Sequence, residues 1–323
     1  MTATRRTLIA ATLFAPAVAR AQAPWAPTRP TRFVVPFPAG GATDVVARVL
    51  ADRMQESFGQ PVVVENRTGA GGNIGVENVV RSAPDGSTIL MGTTGTLTVN
   101  PHLYSNLGFD PLRDLAPISM AFTTDHVLVV NPQVQAQTAQ EFLALVRAQP
   151  GRLSYGSAGA GSSTHTVPEL FKLAAQVDIA HVPYRGSAPA LNDLVAGNVQ
   201  MMLDQIPSAI GQIQGGRVRA LAVTGARRSP LLPDVPTMAE IGLPDAQATS
   251  WGAVMAPAGT PAPAVARFNA AIREALAQQA VKDRLAAAGA DGVASSPEEL
   301  ATYLRAESAK WARVVREARI TVN

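Results

Sequence analysis

The residues best suited to chemistry in this 323-residue chain lie in two glycine-rich stretches, PFPAGGATD (36–44) and GSAGAGSSTH (156–165). Each ends a β-type run and opens a helical pattern, so each places small polar groups beside the unpaired N–H groups of a helix start. In the first, Pro38 and Ala39 lead into Gly40 and Gly41, which let the backbone approach a ligand closely, and Thr43 adds a hydroxyl ahead of Asp44. In the second, Ser157, Ala158, Gly159 and Gly161 precede Ser162, Ser163, Thr164 and His165. No Lys follows the first pair of glycines, as a P-loop requires, and the chain has no G-x-G-x-x-G. A triphosphate usually recruits Lys or Mg²⁺, whereas a carboxylate can be held by neutral donors. Two helix starts, each carrying about half a positive charge, suit a ligand with a carboxylate at one or both ends.

Other chemistries find little support. The absence of cysteine removes thiolate nucleophiles, thiolate zinc sites and iron–sulfur clusters. His102, His126, His165 and His181 show no metal-ligand spacing, and G-x-S-x-G is absent. Ser162 and Ser163 lie near His165, but on a loop better suited to binding than to attack. The expectation is a protein with no catalytic residue, no metal and no cofactor.

The amino terminus, MTATRRTLIAATLFAPAVARAQAP, has the parts of a secretory signal peptide. Arg5 and Arg6 form the basic region, Leu8 to Val18 the apolar region, and Ala19-Arg20-Ala21 the cleavage site. Cleavage after Ala21 would leave a periplasmic protein; RRTLI also resembles a twin-arginine signal, so both export routes stay open. The chain has 27 basic and 24 acidic residues, and the leader holds three Arg and no acid. Beyond Ala21 the charges therefore balance, which argues against nucleic-acid partners and anionic lipid.

The elements that must position the two loops alternate regularly. RFVVPF, PVVVE and STILMG read as strands, with helical periodicity over Val45–Phe58 and Ile74–Val80 between them. The rhythm restarts at HVLVVNP (126–132), with a Thr138–Glu141 capping box, then LSYG, DIAHVPY, VQMML and VRALAVT as further strands. The last third reads as helical, opened by Ser296, Pro297 and Glu299, with an apolar stripe of Leu300, Tyr303, Leu304, Trp311, Val314 and Val315. This predicts two α/β lobes with glycine-rich loops at the carboxyl ends of their strands, where open parallel sheets bind ligands.

RFVVPFPAGGATDVVAR, QPVVVENRTGAGGNIG, APDGSTILMGT, LSYGSAGAGSSTH, HVPYRGSAPALNDLVAG, RALAVTGARRSPLLPDVPTMAEIG and SWGAVMAPAGTPAPAV follow one another from about Trp25 onward. In that order they resemble the Bug-type periplasmic substrate-binding proteins of the tripartite tricarboxylate transporter family. The resemblance implies a type II periplasmic-binding-protein fold: two lobes, each a mixed sheet flanked by helices, joined by two crossover strands. It places the signal peptide at 1–21, lobe I at 22–124 and 226–323 (return boundary between 226 and 250), and lobe II at 125–225. It implies a monomer that captures a small organic acid, a di- or tricarboxylate or another carboxylate, and delivers it to integral-membrane permease subunits. Carried onto this chain, Pro38–Asp44 and Ser157–His165 pinch the carboxylate, while Asn73, Thr93 and Asp204 shape the distal end. Two positions depart from the family pattern: Ser87 stands where Tyr is frequent, and Leu203-Asp204-Gln205 where Phe-Asp-Asn is frequent. An ionised Asp204 would repel a second carboxylate and favour an amine or hydroxyl; the other reading of it is a helix cap. A sensor presenting a bound acid to a membrane signalling protein, or an enzyme acting on small acids, are the alternative roles.

Overall fold

The computed structural model describes residues 25–317 and 320–321, so the leader and its cleavage site fall outside the described residues. Strand β1 (Thr31–Val35) is apolar on both faces because both faces are covered. Phe33 and Val35 pack with Val46, Val49, Leu50 and Met54 of helix α1 (Ala42–Phe58). β2 (Val62–Asn66) follows, and Val34 packs on the opposite face with Val76 and Val79 of α2 (Asn73–Val80). β3 (Thr88–Thr93) runs into a π-helical turn (Gly95–Val99), then the short helices α3 (Asn100–Leu103) and α4 (Pro111–Asp114).

β4 (Leu115–Val130) is a single strand of 16 residues that belongs to two sheets. After it come α5 (Ala139–Ala148), β5 (Ser154–Ser157), α6 (Ser163–Ala175), β6 (Ala180–Pro183), α7 (Ser187–Ala196), β7 (Met201–Gln205), α8 (Ile206–Gln214) and β8 (Arg219–Val223). The chain closes with β9 (Thr249–Pro257), α9 (Ala262–Ala277), α10 (Gln279–Ala288), β10 (Asp291–Gly292) and α11 (Pro297–Glu317). The first sheet has the order β2-β1-β3-β9-β4, with β10 also on β4. Its β1 pairs are parallel, and β9 is antiparallel to both neighbours. The second continues through β4-β7-β5-β6, with β8 on β4; there the β4 pairs are antiparallel and the β5 pairs parallel.

Alternation along β4 builds the second core on two faces at once. Leu128 and Val130 meet Phe142, Val146, Val167 and Phe171 from α5 and α6, while Val127 and Val129 meet Leu191, Leu194 and Ala209 from α7 and α8. β4 pairs with β9 up to Asp125 and with β7 from His126 onward, so the first passage between the sheets falls at that bond. After β8 the chain stays with the second core, which contains Met238, Ile241, Leu243 and Ala246. It returns at Thr249, opposite Asp125, so the two passages lie side by side.

The structure corrects the reading of the last third as helical: β9 lies in the middle of the first sheet. SWGAVMAP lacks the β-branched density and alternation that mark a strand, because β9 is buried on both faces among small residues. HVLVVNP likewise marks only the second half of β4. Register shifts between Pro117 and Ser119 and between Met120 and Phe122 erase alternation in the first half. The Ser296–Glu299 capping box is reciprocal, at 3.1 and 2.7 Å. At α5, Thr138 accepts from Glu141 N–H at 3.2 Å, but Glu141 reaches back to the amide of Gln137. Among the described residues no helix is long and apolar enough to cross a membrane.

Candidate ligand-binding site

Four helix starts converge on one cavity between the sheets. Gly41, Ala42 and Thr43 come from α1, and Ser162, Ser163 and Thr164 from α6. Ser187 and Ala188 come from α7, and Gln205 and Ser208 from α8. None of the N-cap residues Gly41, Ser162, Gly186 and Gln205 makes a side-chain capping bond to its own helix. The Ser162 hydroxyl donates instead to Gly159 O at 2.6 Å, and Thr164 Oγ1 accepts from Ala158 N–H at 2.7 Å. The first turns are thus not capped by their own N-cap side chains; Ala42 N–H is met by Ser208 Oγ, and Asp44 and His165 N–H by the carbonyls of Gly41 and Ser162. Phe37, Pro38, Ala39, Thr93, Thr94, Ala158, Ser250 and Trp251 complete the wall, and no Lys, Arg or His lines it. Four half-charges amount to about two positive charges supplied by backbone alone.

The structure sorts the residues singled out in the sequence into two layers. Pro38, Ala39, Gly41, Thr43, Thr93, Ala158, Ser162, Ser163 and Thr164 line the cavity. Behind them, Asp44 accepts from Gly40 N–H at 3.0 Å, from Asn66 at 2.9 Å and from Arg48 at 2.9 Å. Burial alone would raise the Asp44 pKa, but these bonds outweigh it and hold the carboxyl below its usual range. Ser157, Gly159 and His165 lie under the second loop, where Gly159 N–H donates to Ser157 Oγ at 3.2 Å and Gly161 N–H to His165 Nδ1 at 3.1 Å. Asn73 does not line the cavity: its Oδ1 accepts from Asn100 Nδ2 at 2.5 Å, tying α2 to α3.

Asp204 also stands back from the cavity. Its Oδ1 accepts from the Ser187 hydroxyl at 3.0 Å and from Gln205 N–H at 2.9 Å, while Oδ2 has no partner. Complete burial raises its pKa to about 7. The distal wall is therefore built by Ser187, Gln205, Ser208, Ser250 and Trp251, with Asp204 positioning Ser187 from behind. Ser187 was findable: VPYRGSAPALNDL repeats the strand, glycine, small polar residue, helix grammar of the other two loops. Ser250 and Trp251 carried no signal, since they lie on β9. His165 does not activate Ser162 or Ser163; its Nδ1 is taken by Gly161 N–H. Three Ser–His pairs form among the described residues: Ser157–His181 at 2.6 Å, His102–Ser308 at 2.9 Å and His126–Ser250 at 3.3 Å, with Ser157 and His126 fully buried.

Across the cavity the two halves touch through side chain-to-backbone bonds and through close backbone approach. Tyr104 donates its hydroxyl to Ala160 O at 2.8 Å, and burial raises its pKa. Ala42 N–H donates to Ser208 Oγ at 3.3 Å. A Cβ on Gly95 would sit 2.6 Å from Gly161 O, and one on Gly71 would overlap Ala160 O. Only glycine permits this approach.

Two α/β lobes joined by adjacent passages, with helix starts from both meeting over one cavity, define a type II periplasmic binding protein. Solved structures of that class match the whole fold. An R. palustris protein with adipate has a TM-score of 0.89 at 37% identity, covering 91% of this chain and 99% of that one. MatC from Rhodopseudomonas palustris with bound malate has a TM-score of 0.85 at 37% identity, covering 90% and 99%. The sequence model of the tripartite tricarboxylate transporter family receptor matches residues 46–320. Protein BugT of Bordetella pertussis is 42% identical over 292 residues, 90% of each chain. The chain belongs to this receptor family and is of the Bug type.

Proposed function

We propose that this chain is an exported receptor that closes on a small acid bearing two carboxylates and hands it to a tripartite tricarboxylate-type permease. The observation that carries the reading is the convergence of four side-chain-uncapped helix starts on a cavity with no cationic side chain. Such a site matches a dianion with fixed dipoles, at no cost in reorganising long side chains. The adipate and malate held by its structural neighbours are both dicarboxylates, which supports the same class here. The reading includes removal of the leader after Ala21, a periplasmic monomer and no catalytic step. It also takes lobe I as residues 22–124 and 249–323 and lobe II as 125–248, which puts the return near the end of the 226–250 window.

Thermal unfolding of the mature chain with adipate, malate, citrate, benzoate, glucose and AMP tests the reading. At an acid concentration about 100-fold above Kd the protein should gain about 2.7 kcal/mol, visible as a raised Tm. A shift with glucose or AMP and none with any acid would overturn it.

A further inference from the structure

A second pocket, bordered by His165, Glu169, Lys172, His181, Pro183 and the terminal Ile320 and Thr321, shares no lining residue with the ligand cavity. In it His165 and His181 stack with centroids 4.0 Å apart and planes within 10°, and Tyr155 stacks on His181 at 4.8 Å. Their bonds fix their protonation. His165 Nδ1 accepts from Gly161 N–H, so that nitrogen carries a lone pair and the ring proton sits on Nε2. Ser157 Oγ already accepts from Gly159 N–H and must place its own proton; His181 Nε2, at 2.6 Å, is the acceptor in reach. His181 is therefore neutral with its proton on Nδ1. His165 fastens Gly161 directly and His181 fastens Gly159 through Ser157, in the loop whose other side faces the cavity.

We propose that His165 and His181 are positioning residues for the ligand loop, holding Gly159 and Gly161 in place only while both rings are uncharged, so that acidification loosens the loop and releases ligand. The release step rests on the loop binding the acid as proposed above. A protonated His165 would set N–H against the Gly161 N–H, and two charged rings at stacking distance would repel. The titratable groups facing the pair, among the described residues, are Tyr155 from β5 and Glu169 and Lys172 from α6; Ile320 and Thr321 add no charge. Glu169 accepts from Tyr155 at 2.6 Å and from Lys172 at 2.9 Å; its charge favours a cation on His181, while Lys172 opposes one. Burial first, then Lys172, holds His165 down to about 4; burial first, then His165, holds His181 to about 3. Both are depressed below the ordinary value of 6.5. The loosened loop therefore binds more protons as pH falls through about 6.5, and the held loop loses ground until its own rings charge near pH 4.

The test uses the mature chain at pH 7.5 and 5.0. NMR protection factors at the Gly159 and Gly161 amides read the loop without ligand, and calorimetry with adipate reads capture. His165→Asn and His181→Gln together keep an acceptor at each position and titrate at neither; His165→Leu removes one acceptor. Wild type should lose protection of both glycines at pH 5 while strand amides keep theirs. The double variant should stay protected at both pH values, and His165→Leu should be unprotected at Gly161 at both. Wild-type adipate affinity should fall more than that of the double variant, which carries only adipate's own protonation, by up to about thirty-fold for each ring and up to about a thousand-fold for the pair. Unchanged glycine protection in wild type, or equal affinity losses in the two proteins, overturns the proposal. Loss of glycine protection with no adipate binding at either pH supports the loop assignment and counts instead against the dicarboxylate reading.

Discussion

At the scale of single residues, the site separates groups that face the cavity from groups that hold those groups still. Thr43 and Ser163 belong to the first kind, each a hydroxyl at a helix start on the cavity wall. Thr43→Val and Ser163→Ala should each weaken carboxylate binding by about 1.5–3 kcal/mol, the usual loss for a hydrogen bond to a charged partner, with little change in Tm. Calorimetry of both variants checks this, and wild-type affinity in both would place the ligand elsewhere. Asp204 belongs to the second kind. Burial raises its pKa from 3.8 to about 7, so the folded state binds the extra proton between those values. Stability from this group is full below about pH 4 and is lost as pH rises through 7. Asp204→Asn cannot ionise. The Tm of the variant minus that of wild type should therefore increase between pH 5 and pH 8, and a flat difference would show that Asp204 stays ionised throughout.

At the scale of elements, the recurring unit is a strand, a glycine, a small polar residue and a helix. That grammar is local, and it made the starts of α1 and α6 legible without any structure. It was equally present before α7, where Gly186 and Ser187 repeat it, but there the sequence offered no hydroxyl cluster to draw the eye. Ser250 and Trp251 were not legible for a different reason: β9 is a buried strand of small residues, and its place between β3 and β4 is set by partners far away in sequence. Asp204 was visible as an acid near the site, yet only packing decides that it points at Ser187 and not at the ligand. The contact between halves is also a matter of elements, since the π-helical turn brings Gly95 against the start of α6. The nearest atoms to a Cβ at Gly95 all belong to Gly161 and Ser162 in the second lobe. Gly95→Ala should leave the first lobe folded, keep the halves apart, and weaken ligand binding by tenfold or more, about 1.4 kcal/mol. Small-angle scattering with saturating ligand should then show a larger radius of gyration than wild type; equal radii would mean the contact yields easily.

At the scale of the molecule, both passages between the sheets lie side by side, at Asp125–His126 and just before Thr249. Bending there is a cheap way to separate the lobes, because the contacts across the cavity, Tyr104–Ala160, Ala42–Ser208 and Gly95–Gly161, run through loops and helix ends. A ligand shifts such an opening only by binding the closed form better, and on the proposed function donors from both lobes would supply that difference. The position of β9 has a consequence for how the chain reaches this state at all. The strand that fills the centre of the first sheet is made after the entire second lobe, so β3 and β4 must wait, unpaired on their facing edges, until residue 249 has arrived. Early collapse can build β1, β2, β3 and their helices, but the sheet is completed by contacts of very long sequence separation, which form slowly. Trp251, buried on β9, is a natural reporter of that closing event. In a background with Trp25→Phe and Trp311→Phe, its fluorescence should reach the native value well after far-ultraviolet circular dichroism has recovered. Recovery of both signals together would mean that β9 is in place from the start.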